Sequence, residues 1–147
     1  MRSPGLRVAF VCVQNAGRSQ MATAFAEQER GERGLGGEVE LLTGGTQPAD
    51  HVHEIVVDVM DEAGFDLNKR TPRAITPEEL EQTDIVVTMG CSATNICPVT
   101  WAGENRDWAL DDPDGRTLEE VREIRDAVRQ QVRGLFDEIE QEVTHRV

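Results

Sequence analysis

Arg7-Val8-Ala9-Phe10-Val11-Cys12-Val13-Gln14-Asn15-Ala16-Gly17-Arg18-Ser19-Gln20-Met21-Ala22 is the stretch that decides the fold. After Arg7 it is apolar and β-prone through Val11, the pattern of a strand buried on both faces. Cys12 ends the run, and small or polar residues follow to Ser19. From Gln20 the residues Gln-Met-Ala-Thr-Ala-Phe-Ala-Glu-Gln-Glu-Arg favour a helix. A cysteine, an arginine and a hydroxyl thus share the joint between a strand and a helix. Backbone N–H groups at such a joint can converge on a tetrahedral anion, here from Val13, Gln14, Asn15, Ala16, Gly17, Arg18 and Ser19. The planar fork of Arg18 can grip two anion oxygens. The same donors, with the Ser19 hydroxyl, favour Cys12 as a thiolate, the nucleophilic form. A buried structural cysteine at a strand end is the bland reading of Cys12, and the loop behind it weighs against that.

Outward from this joint the chain alternates. The glycine-rich stretch Gly31–Gly37 breaks the first helix, and Glu38–Leu42 forms a second strand closed by Gly44-Gly45. Asp50 can cap a helix carrying Ile55, Val56, Val59, Met60 and Ala63, with Gly64 as its stop. Thr76-Pro77-Glu78-Glu79 spells a capping box with proline at the first helical position. Asp84–Met89 is a third strand and Asp107–Leu110 a fourth. Thr117 with Glu120 opens a last helix whose Val121, Ile124, Val128, Val132, Leu135, Ile139 and Val143 make one apolar stripe. Strands alternating with helices imply a flavodoxin-like α/β domain with a four-stranded parallel sheet. With no linker or repeat, residues 1–147 read as one domain. Ligands bind beyond the C-terminal ends of such strands. Cys12, Cys91 and Asp112 each follow a strand and so converge on one rim.

The formal net charge is −13, and Lys69 is the single lysine among 15 basic residues. Acidity of this kind repels nucleic acid and anionic membranes, so neither is expected as a partner. Spread over the whole chain, it matches a surface adapted to high salt. No apolar run is long enough to span a membrane and no signal peptide is evident, so a cytoplasmic location is expected. Cys12, Cys91 and Cys97 do not form a secreted disulfide framework. Cys91 and Cys97 lack a zinc spacing or a neighbouring histidine, and no metal site is expected there. His51 and His53 read as surface residues of a first helical turn.

Val11–Ala22 closely resembles the active-site loop of the thiol-dependent arsenate reductases, which share a fold with low-molecular-weight protein tyrosine phosphatases. The resemblance continues through Val86-Val87-Thr88-Met89-Gly90-Cys91, Cys97-Pro98 and Trp108-Ala109-Leu110-Asp111-Asp112-Pro113-Asp114-Gly115. It implies Cys12 as nucleophile, Arg18 as oxyanion clamp and Asp112 as general acid. An Asp before Pro is equally a turn residue, and the sequence does not separate Asp111 from Asp112. The resemblance further implies a disulfide cascade: Cys91 resolves Cys12, and Cys97 takes the bond from Cys91. No bound cofactor is implied. Reducing equivalents would come from thioredoxin, a glutaredoxin-like donor or a low-molecular-weight thiol system. The Cys91–Cys97 spacing is shorter than in the best-known thioredoxin-coupled members and resembles relatives that use a small thiol. The related phosphatases line the cleft after Asp-Pro with aromatic residues. This chain has no tyrosine and carries Asp114-Gly115 there, which suits an inorganic, arsenate- or phosphate-like oxyanion. Thr23 stands where several reductases carry an acid associated with potassium, so that site is not expected. Two alternatives stay open: a phosphatase working through a Cys12 thiophosphate, and an anion-binding or redox-sensing module without turnover.

Overall fold

The computed structural model describes residues 5–89 and 103–145. Four strands, β1 (Leu6–Cys12), β2 (Val39–Gly45), β3 (Ile85–Met89) and β4 (Glu104–Asp107), form one sheet in the order β2-β1-β3-β4. Every pairing is parallel, with Cys12 level with Gly45 on one side and Met89 on the other. The chain leaves β1 for β2 on one flank and returns to β3 on the other. Beside the end of β1 lies the crevice where such sheets bind ligands. Cys12 is the residue at that end.

Strand periodicity sorts β1 between two cores. Leu6, Val8, Phe10 and Cys12 face the larger one, while Ala9 and Val11 face the smaller one with Val86 and Leu80. Burial on both faces contributes about 1.5–3 kcal/mol for each large side chain and fixes the register, because a slip by one residue would exchange the two sets. The helices are α1 (Arg18–Glu32), α2 (Glu54–Glu62), α3 (Pro77–Glu81) and α4 (Leu118–His145). Helix α4 packs on α1 and α2, and its expected stripe from Val121 to Ile139 is buried. Leu80 of α3 supplies the smaller core.

Four boundaries differ from the sequence reading. Helix α1 starts at Arg18 rather than Gln20, because the loop feeds directly into its first turn, and it runs through Gly31 to Glu32. Strand β2 extends to Gly45, where a Cβ would lie 2.5 Å from the Val13 carbonyl oxygen, so only glycine lets the strand end press against the loop. Strand β4 is Glu104–Asp107 rather than Asp107–Leu110. As an edge strand it is held by backbone pairing, and it is polar and largely exposed. The apolar Trp108 beyond it is buried and packs on Phe10 with ring centroids 6.0 Å apart. Finally, α2 begins after His53, not at an Asp50 cap. Both capping boxes are present, at Thr76 with Glu79 and at Thr117 with Glu120.

Candidate active site

The loop after Cys12 owes its shape to what its carbonyls bind. Gln47 N–H bonds the Val13 carbonyl at 2.8 Å, Ala49 N–H the Gln14 carbonyl at 3.0 Å, and His53 N–H the Ala16 carbonyl at 2.9 Å. In a trans peptide the N–H points opposite to the C=O. Three outward carbonyls therefore turn the N–H groups of Gln14, Asn15 and Gly17 inward. The Asn15 N–H accordingly meets the Cys12 sulfur at 3.2 Å.

Asn15 makes this turn possible. Its φ of 52° lies in the left-handed region, which asparagine tolerates better than most residues. Its side chain is buried and fully engaged. Oδ1 accepts from the Arg73 backbone N–H at 3.0 Å and from Gln20 Nε2 at 3.1 Å. Nδ2 donates to Ser19 Oγ at 2.8 Å and to Thr43 Oγ1 at 2.9 Å. The Arg73 N–H can only donate, which fixes which end of the amide is which. Ser19 Oγ lies 2.8 Å from the Cys12 sulfur. Because it already accepts from Asn15, its own proton is free to turn toward sulfur. Thr43 and Arg73 were not singled out from sequence: Thr43 reaches the loop from β2, and Arg73 from the segment between α2 and α3.

Arg18 is buried at the start of α1. Its NH1 donates to the Leu110 carbonyl at 2.8 Å, and its NH2 lies 3.8 Å from Asp112 Oδ2. Asp112 is a turn residue that also lines the Cys12 cavity. Its Oδ1 accepts the Asp114 N–H at 3.0 Å, while its Oδ2 faces Arg18. One cavity of about 200 Å³ is lined by Cys12, Val13, Gln14, Gly17, Arg18, His53, Asp112 and Pro113. Pockets for drug-sized ligands run from about 300 Å³ upward, so this one suits a small anion. Asp111 lines a different cavity, with Arg116 and Glu120. His53, expected at the surface, stands inside the Cys12 cavity. Cys91 and Cys97 lie outside the described residues. Among the described residues no cluster of three or more metal-ligating side chains occurs, and no helix is long and apolar enough to cross a membrane.

Residues 7–145 match the family described as low molecular weight phosphotyrosine protein phosphatase. The chain belongs to that family. Within and around this phosphatase family, a Halobacterium salinarum protein named "Putative arsenate reductase" is 64% identical over 129 residues, covering 88% of this chain and 89% of the relative. A "Glutaredoxin arsenate reductase" of Synechocystis is 32% identical over 136 residues, covering 90% of this chain and 98% of the relative. Among solved structures, a thioredoxin-dependent arsenate reductase of Corynebacterium glutamicum superposes with a TM-score of 0.78 at 30% identity. That match covers 97% of this chain and 65% of the other. The parallel four-stranded sheet is thus the phosphatase family's fold, carried by relatives named for arsenate reduction.

Proposed function

We propose that this protein, acting as one domain in the cytoplasm, reduces arsenate to arsenite with electrons from thiols. One observation carries the reading: Cys12, inward-turned amides, Arg18 and Asp112 share a single small cavity. The names of the relatives supply the substrate. The Cys12 thiolate attacks arsenic, and Asp112 gives its proton to the departing oxygen, forming a sulfur–arsenic bond. Arg18 and the amides of Val13 to Ser19 hold the remaining oxygens. The Cys91 thiolate then attacks the Cys12 sulfur. The sulfur–arsenic bonding pair passes to arsenic, releasing arsenite and leaving a Cys12–Cys91 disulfide. Cys97 attacks Cys91 and carries the disulfide outward to thioredoxin, a glutaredoxin-like protein or a low-molecular-weight thiol. Two thiols thus supply the two electrons.

The same loop could hydrolyse a phosphomonoester through a Cys12 thiophosphate, without Cys91. Multiple-turnover arsenite production, with thioredoxin, thioredoxin reductase and NADPH or with a small-thiol system, separates the two. Arsenite formation that disappears in Cys12→Ser and Cys91→Ser supports the reductase. Aryl phosphate hydrolysis that survives Cys91→Ser, without arsenite from any donor, makes the protein a phosphatase. Thiol oxidation without product would mark a sensor.

A further inference from the structure

His53 lines the cavity but has no task in the scheme above. Its backbone is committed, since its N–H holds the Ala16 carbonyl at 2.9 Å. Its side chain is not. It occupies the cap position of α2, where Ser, Thr, Asp or Asn would bond the helix amides, yet it makes no capping bond. Among the described residues the imidazole has no hydrogen-bond or ion-pair partner. The residue is nonetheless half-buried and lines the cavity that holds Cys12 and Arg18. Its Cδ2 lies 3.6 Å from where a Cβ on Gly17 would sit, with Pro113 closing the other side at 2.9 Å. His51, two residues earlier, is exposed and lines another cavity, so the inward placement belongs to position 53.

The charge of the lining gives this placement meaning. Among the described residues Arg18 is its one fixed cation, and Asp112 opposes it. The whole chain carries −13. A tetrahedral oxyanion has more oxygens than Arg18 alone can satisfy, and the loop amides approach from the Cys12 side. A donor beside Gly17, at the start of α2, would add a further bond to one of those oxygens. Imidazole carries at least one N–H in either protonation state.

Resting on the reading of this cavity as an oxyanion site, we propose that His53 is a substrate-binding residue whose imidazole donates a hydrogen bond to an oxygen of the bound anion. A packing wedge between Gly17 and Pro113 is the rival role, and two substitutions separate them. His53→Phe keeps the bulk and removes the donor, while His53→Gln keeps an N–H at similar reach. Neither touches the backbone bond to Ala16.

The readout is protection of Cys12 from iodoacetamide by inorganic phosphate, followed on the Cys12 peptide by mass spectrometry. It requires no turnover, so failure of arsenate reduction leaves it intact. Half-protection in His53→Phe is expected to need about tenfold more phosphate than wild type or beyond, the usual effect of losing a hydrogen bond to a charged group. His53→Gln is expected to stay within about threefold of wild type, because the donor is retained. Equal protection in wild type and His53→Phe, or equal losses in both variants, overturns the inference. No protection of wild type at all overturns the oxyanion site itself, and His53's role with it.

Discussion

The loop around Cys12 and the outer face of α4 are built on opposite physics. Around the loop, Asn15, Ser19 and Gln20 are buried and bonded to one another at 2.8–3.1 Å by neutral groups. On α4, exposed carboxylates meet arginines: Glu138 with Arg106, Asp137 and Glu140 with Arg33, and Arg122 with Glu62. A buried hydrogen bond that loses one partner costs the full desolvation of the other, about 1–3 kcal/mol. An exposed ion pair contributes about 0–1 kcal/mol and fades with salt. This division is what the proposed anion site requires in a chain of net charge −13. Surface repulsion is screened over about 10 Å at 0.1 M ionic strength, whereas the loop donors act at hydrogen-bond distance.

The strongest way to break the comparison is to remove the chemistry while leaving both regions folded. Cys12→Ser keeps a partner for Ser19 and Asn15 but loses the thiolate, and turnover is expected to fall by about 10⁴-fold or more. A melting temperature near wild type would show that the loop's network survives. Arg18→Lys keeps the charge but loses the fork proposed to span two anion oxygens. The expected cost is about 10²–10³ in kcat/KM, read in the same arsenite assay. Turnover retained within threefold would remove Arg18 from the clamp.

Asn15 tests the buried side of the comparison. Asn15→Gly preserves the left-handed backbone and loses the side-chain bonds, and Asn15→Ala loses both. Urea unfolding should show about 2–3 kcal/mol lost in Gly and about 1 kcal/mol more in Ala, unchanged in multimolar salt. Thr76→Ala should cost about 1 kcal/mol through the α3 capping box. That box also anchors Arg73: Glu79 accepts from its guanidinium at 2.7 Å, while the Arg73 backbone N–H holds Asn15. Loss of activity in Thr76→Ala at full saturation with substrate would show that this distant cap supports the loop.

What could be seen in the sequence divides along similar lines. The strand, loop and helix around Cys12 were legible because their chemistry is local: apolar run, small residues, arginine, hydroxyl. The stripe of α4 and both capping boxes were legible for the same reason. The edge strand β4 was not, because Glu104–Asp107 pairs through its backbone and its side chains carry no alternation. The apolar Trp108 next to it drew the reading downstream. His53's place in the cavity and Thr43's bond to Asn15 were missed because both come from distance, not pattern. The segment 46–53 follows the outward carbonyls of the loop, and no local signal records that. Asp112 was separated from Asp111 only in space, when one entered the Cys12 cavity and the other did not.

The smallest expected effect lies on the acidic shell. Arg106 bonds Glu138 at 2.7 and 2.9 Å and holds its carboxyl below the usual carboxylate range. The Glu138 side chain is 59% exposed, so the pair should contribute no more than about 1 kcal/mol. Because the folded value is depressed, the contribution is fully present above the unfolded value of about 4.3. It is lost as pH falls through the lower folded value. Comparing wild type with Glu138→Gln cancels the general relief of repulsion that acid brings to both proteins. Their stability gap should be steady near neutral pH, shrink as pH falls below the unfolded value of about 4.3, and shrink also at pH 7 in multimolar salt. A gap that widened in acid would reverse the sign of the interaction. One that held in concentrated salt would place Glu138 with the buried network instead of the screened shell.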